Sequence, residues 1–357
     1  MPDILDIFAD PGIAGSLDSA RWDQLLRDAR RCHLLPRLTH HLPDHSGLPE
    51  PVRRQLQSGR TTGDSFERQL RWQLERLRLD LRHTTYPIVL LKGAGYLLAD
   101  LPIARGRRVN DIDVMVERQY LAETESTLRQ CGWESLKSDE YDDAYYRTWM
   151  HELPPLRHPQ YGTVLDIHHT ILPLTGRLHQ DPARLFGAAR PLVESELAGA
   201  NWYVLSPTDL VLHAAAHMFQ DGELSGSLRD LLDIDGLMRH FASVDPTFFA
   251  ALIPRAVELN LQRPVYYALR YCQRLLRTPV PETTLAQADA ARGSRWQTRA
   301  MDWLVVRALV PPEHPGTGTA ESAALFALYI RSHWLRMPPL LLTRHLLRKA
   351  TGRWKKT

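Results

Sequence analysis

The chain has 357 residues, 44% of them hydrophobic and 24% charged, with a formal net charge of +3. That composition excludes a disordered or low-complexity protein, and the length allows two domains or one domain with a large helical appendage. The charge is too small to imply nucleic-acid binding by itself, no run reaches the roughly 20 apolar residues of a membrane-spanning helix, and three scattered cysteines suit neither a disulfide framework nor a zinc knuckle.

Residues 1–84 read as an N-terminal helical segment. The opening "MPDILDIFADPG" carries acids where a secretory signal carries Lys or Arg, so a reducing cytoplasm is expected. In "SARWDQLLRDARRCHLL", Trp22, Leu25, Leu26, Ala29 and Leu34 fall on one helical face, with Asp18 or Ser19 as N-cap. A longer helical run follows, with Leu70, Leu74, Leu77 and Leu81 at three- and four-residue spacing and arginines on a solvated face.

The period changes at residue 87. "PIVLLKG" predicts a buried strand, "AGYLLADL" a helix, "PIARGRR" a loop and "DIDVMV" a second strand. "ERQYLAETESTLRQCGW" predicts an amphipathic helix ended by Gly132, and Gly162 precedes a third strand in "VLDIHHTIL". Residues 85–205 therefore form a small α/β core. From Ser206, with Pro207 at the first helical position and Asp209 in the first turn, residues 206–310 read as an all-α domain. Residues 311–357 comprise a linker, "VPPEHPGTGTA", and a basic amphipathic tail. From Ala323 onward there are eight Arg or Lys and no acid, a tail suited to RNA, to an anionic membrane surface, or to simple packing on the body.

The chemistry concentrates in "VNDIDVMVE". On a strand Asp111 and Asp113 share a face while Ile112 and Val114 point to the core. Two such carboxylates stay ionised together only beside a cation, and Mg²⁺, which takes oxygen ligands and bridges carboxylates to phosphates, is the natural choice. Asp166 in "VLDIHH" is the candidate third acid, completing a two-ion site. The Gly-containing turn in "LLKGAGYLL" reads as a phosphate cradle of backbone N–H groups; it lacks the Walker A pattern. An isolated D-x-D also occurs at strand ends without any metal.

Together, "VLLKGAGYLLADL", "RGRRVNDIDVMV", "VLDIHHTIL", "LSPTDLVLHAAAHMF" and "LRDLLDIDGL" resemble the uncharacterised nucleotidyltransferase family of the DNA polymerase β-like superfamily, over roughly residues 20–243. The resemblance implies an α+β fold: a small mixed sheet flanked by N-terminal helices and a C-terminal helical domain. It also implies transfer of a nucleoside monophosphate from an NTP (ATP as the default) to a hydroxyl-type acceptor, with Asp111, Asp113 and Asp166 holding two Mg²⁺. Lys92 would reach phosphate oxygens, the amides of Gly93 and Ala94 would cradle them, Arg107 would pair with a phosphate, and His168 matches a histidine after the third acid. The superfamily's usual turn serine is missing here. Two other readings stand beside transfer: a non-catalytic nucleotide- or protein-binding module, and a metal-dependent phosphohydrolase.

Secondary candidates are weaker. His213 and His217 lie one helical turn apart without the glutamate of a metalloprotease motif, and Arg229, Asp230 and Asp233 share a helical face that suits either the cleft or internal ion pairs. By alternation His168 faces the same side as Asp166 and His169 faces away. Relief of carboxylate repulsion predicts that Asp113→Asn keeps or raises the melting temperature while abolishing activity.

Overall fold

A computed structural model describes residues 3–42, 46–136, 146–192, 201–221, 224–310 and 319–336. The sheet at its centre is built from the apolar runs. Strands β1 (Ile88–Leu90) and β2 (Ile112–Met115) are buried along their whole length, so both faces of the sheet are covered there. β5 (Val164–His168) lies parallel to β2, and β7 (Trp202–Val204) lies parallel to β1. β3 (Glu134–Ser135), β4 (Leu156–Arg157) and β6 (Arg190–Pro191) complete a mixed sheet in the order β3-β4-β5-β2-β1-β7-β6. The three strands expected from the sequence are its middle. The other four are two or three residues long, too short to show a period of two.

Helices cover the rest, and the polar signals set their ends. Asp18 caps helix Ser19–Arg31, whose Trp22, Leu25, Leu26 and Ala29 are buried. Ser206 Oγ accepts from Asp209 N at 3.3 Å to open helix Pro207–Ala216, with Pro207 at its first position. Helix Glu50–Asp80 buries Leu70, Leu74 and Leu77. "AGYLLADL" begins its helix two residues earlier than the pattern suggested, at Lys92, and ends at Leu98. Gly132 at φ +95° follows helix Leu121–Gln130. The "VPPEHPGTGTA" linker and the tail beyond Arg336 lie outside the described residues, apart from their flanks; Arg331 and Arg336 belong to helix Thr319–Arg336. Among the described residues no helix is long and apolar enough to cross a membrane.

The three segments share one continuous hydrophobic core, from Ile4 through the sheet to Leu328. A buried ion cluster ties them together as well. Asp233 of helix Leu228–Val244 takes Arg37 from the N-terminal helices and, at 2.8 Å, Arg107 Nε from the loop before β2. Of the two roles open to Asp233, it takes that of an internal ion pair, and it joins all three segments.

Candidate active site

The sheet brings the acids together by register. Asp113 on β2 is the direct cross-strand partner of Asp166 on β5, so their side chains leave the same face. Asp111, two residues before Asp113, precedes the strand. Asp113 is 4% exposed, whereas Asp111 and Asp166 are only half-buried and open the site to solvent.

The turn after β1 meets this face. Leu91 N donates to Asp113 O at 2.9 Å, extending the β1–β2 pairing by one residue and delivering Lys92 beside the carboxylates. Lys92 sits at φ +44°, the left-handed region that costs a non-glycine residue energy, a strain common at functional turns. Its Nζ donates to Asp113 Oδ1 at 2.9 Å. Gly95 is needed for the same turn, because a Cβ there would lie 2.6 Å from Leu90 O. Gly93 and Ala94 occupy the buried first turn, where amides have no carbonyl partner within the helix. A Cβ on Gly93 would run into Arg107 Nη1 and Val109. Arg107 therefore backs the turn. Its Nε donates to Asp233, and its guanidinium lies 5.5 Å from the Tyr96 ring centre.

His168 completes the polar face, with Nε2 at 3.1 Å from Asp113 Oδ1 and Nδ1 at 3.4 Å from Glu152 Oε2. Glu152 and His151 were not singled out in the sequence. They sit in "HELPP", between the helix ended by Gly132 and the third strand. The chain there runs antiparallel to β5: Glu152 is bridged to His168, Leu153 N donates to Ile167 O at 2.8 Å, and His169 N donates to His151 O at 2.9 Å. Only this non-local pairing reveals them. His213 lies in helix Pro207–Ala216, and His217 opens a five-residue π-helical turn, His217–Asp221. The Lys92 ammonium and burial together hold His217 well below the usual imidazole range; burial, then Lys92, lowers His213 to about 3.

The charges do not balance. Burial would push the Asp113 carboxyl up, but Lys92 and His168 outweigh it and hold the group well below the usual range, firmly ionised. Asp111 is pushed up by burial and by Asp113. Asp166 rises to about 7, from burial first and then from Glu152 and Asp113. Asp166 Oδ1 is also buried with no hydrogen-bond partner among the described residues. The unpartnered Asp166 oxygen is a donor of the kind a hard divalent cation takes, whereas among the described residues the ligand atoms already gathered within 4.8 Å of one another are those of His151, Glu152 and His168. Two cavities, of 460 and 1070 Å³, lie elsewhere and are lined by none of the three acids. The chemistry of the acidic face, rather than cavity size, marks the site.

A strand, a glycine turn opening a helix, one carboxylate just before and one on the adjacent strand, and a third acid on its parallel neighbour make an α+β core of the nucleotidyltransferase type. The model of a family described as uncharacterised nucleotidyltransferase matches residues 18–277, nearly three quarters of the sequence, and the chain belongs to that family. No curated protein and no solved structure matches it.

Proposed function

We propose that this protein is a Mg²⁺-dependent nucleotidyltransferase that moves a nucleoside monophosphate from an NTP, ATP as the default, to a hydroxyl-type acceptor. The acceptor oxygen bonds to the α-phosphorus, the α–β bridging bond breaks, and pyrophosphate leaves with the bond's electron pair. Asp111, Asp113 and Asp166 are the residues that would hold the metal. Bound there, Mg²⁺ supplies neutralisation of triphosphate charge and a lowered pKa for the attacking hydroxyl.

The chain's own residues have distinct parts. Lys92 carries the cation nearest the turn, and its flexible stem allows the ammonium to exchange Asp113 for a phosphate oxygen. The amides of Gly93 and Ala94 bind phosphate in the first helical turn. Asp166 Oδ1, buried and without a hydrogen-bond partner among the described residues, is the oxygen open to the metal, and the acceptor's proton passes to solvent water. His168 fixes the carboxylate of Asp113 through Nε2. Arg107, paired with Asp233, supports the turn from behind.

What carries this reading is the pairing of Asp113 with Asp166 beside a buried, unpartnered Asp166 oxygen. Incubation with each NTP, Mg²⁺ and candidate acceptors tests it. Pyrophosphate release with acceptor mass increased by one NMP is expected. Orthophosphate would make the protein a hydrolase, and binding without either product would make it a non-catalytic module.

A further inference from the structure

His168 presents an unresolved polar contact that the acidic trio does not explain. Its Nε2 lies 3.1 Å from Asp113 Oδ1, and this contact is a hydrogen bond with Nε2 as the donor and the carboxylate oxygen as the acceptor. In the neutral ring Nδ1 then carries only a lone pair. Nδ1 faces Glu152 Oε2 at 3.4 Å. Nδ1 is buried, and its placement does not make a hydrogen bond. The separation is longer than the 2.7–2.9 Å or so of a charge-assisted hydrogen bond. It is close to the roughly 3.3 Å that separates two ligands at tetrahedral angles around a zinc ion with bonds of about 2.0–2.1 Å. His151 Nε2 stands 3.9 Å from the same Glu152 oxygen, and one ligand atom from each of His151, Glu152 and His168 falls within 4.8 Å of the others.

From this geometry we propose that His151 Nε2, Glu152 Oε2 and His168 Nδ1 form a second metal site, for a divalent transition metal of the zinc class, separate from the oxygen-only Mg²⁺ site of the aspartates. Two imidazoles and one carboxylate select a borderline ion over Mg²⁺. Three protein ligands leave a fourth position open. Asp113 then has a second role: it accepts the Nε2–H of a metal-bound histidine and so fixes the ring's tautomer and orientation. The backbone preorganises the set, because Glu152 and His168 are bridged partners and His169 N bonds His151 O. This site does not depend on nucleotidyl transfer, since it is read on the resting protein without nucleotide.

The test uses the full chain, stripped with a chelator and returned to buffer with excess Mg²⁺ so that the oxygen site is supplied. Co²⁺ is the probe, followed by its visible d–d bands. One equivalent with the intensity of a four-coordinate site, displaced by Zn²⁺, is expected. His151→Gln and Glu152→Gln should each weaken Co²⁺ binding by about 100-fold or more, while Asp111→Asn leaves it within about threefold. As a measurement that needs no variant, the Co²⁺-loaded wild type should show two paramagnetically shifted histidine ring N–H signals, one from each ligand. The proposal is overturned if no such band develops, if Glu152→Gln leaves the affinity unchanged, if Asp111→Asn abolishes binding equally, or if fewer than two shifted ring signals are found. Any of these would leave a proton on Nδ1 as the cation between His168 and Glu152.

Discussion

Asp113→Asn separates two physical pictures of the acidic face. Repulsion among three carboxylates alone argues that losing one stabilises the metal-free protein. The structure argues the opposite for this position, because Asp113 is the acid that receives Lys92 at 2.9 Å and His168 at 3.1 Å while 4% exposed. Removing one partner of a buried ion pair costs about 3–5 kcal/mol. Part of that is returned as the strain on Asp111 and Asp166 relaxes, and Asp111 and Glu152 remain to attract the Lys92 ammonium. A net loss of about 2–3 kcal/mol is expected, a fall in melting temperature of about 5 °C or somewhat more in a chain of this size. Asp111→Asn removes a carboxylate whose burial and repulsion by Asp113 outweigh its attraction to Lys92, and it should keep or raise the melting temperature. Both substitutions should abolish pyrophosphate release. The assay is thermal unfolding of wild type and both variants in chelator, at one protein concentration, beside NTP turnover with Mg²⁺. A melting temperature for Asp113→Asn at or above wild type would refute the reasoning, since repulsion would then outweigh the Lys92 and His168 pairs.

Asp166 should leave a signature in the pH dependence of stability. Its folded pKa of about 7 lies above the ordinary 3.8, so the folded state holds the proton more tightly and the group costs stability increasingly as pH rises from about 4 to about 7. In chelator, the difference in stability between Asp166→Asn and wild type should grow over that window to roughly 2–4 kcal/mol and shrink when Mg²⁺ is added; a pH-independent difference would contradict the assignment. Asp233→Asn should lower stability by about 3–5 kcal/mol in denaturant unfolding, because it strands both Arg37 and Arg107; a loss under about 1 kcal/mol would show that the cluster does not tie the segments together. Gly95→Ala puts a methyl 2.6 Å from Leu90 O and should cost about 1–3 kcal/mol and reduce nucleotide affinity by displacing the turn, measured by thermal unfolding and NTP titration.

The sequence alone determined the local content of the site. Apolar runs broken by Gly and bounded by Asp announced β1, β2 and β5, and alternation placed Asp111, Asp113, Asp166 and His168 on one face, because side-chain direction along a strand has a fixed period. Ser206, Pro207 and Asp209 announced their helix for an equally local reason: a cap and a first turn are satisfied within four residues. Tertiary structure decided which strands are neighbours and in what register. That pairing set Asp166 directly opposite Asp113 and ran the "HELPP" segment along β5, adding His151 and Glu152 to the face. It also assigned partners to the cations, giving Lys92 to Asp113 and Arg107 to Asp233. Residues 126 positions apart cannot signal their pairing through periodicity, since such contacts depend on loop closure and burial, which belong to the fold as a whole.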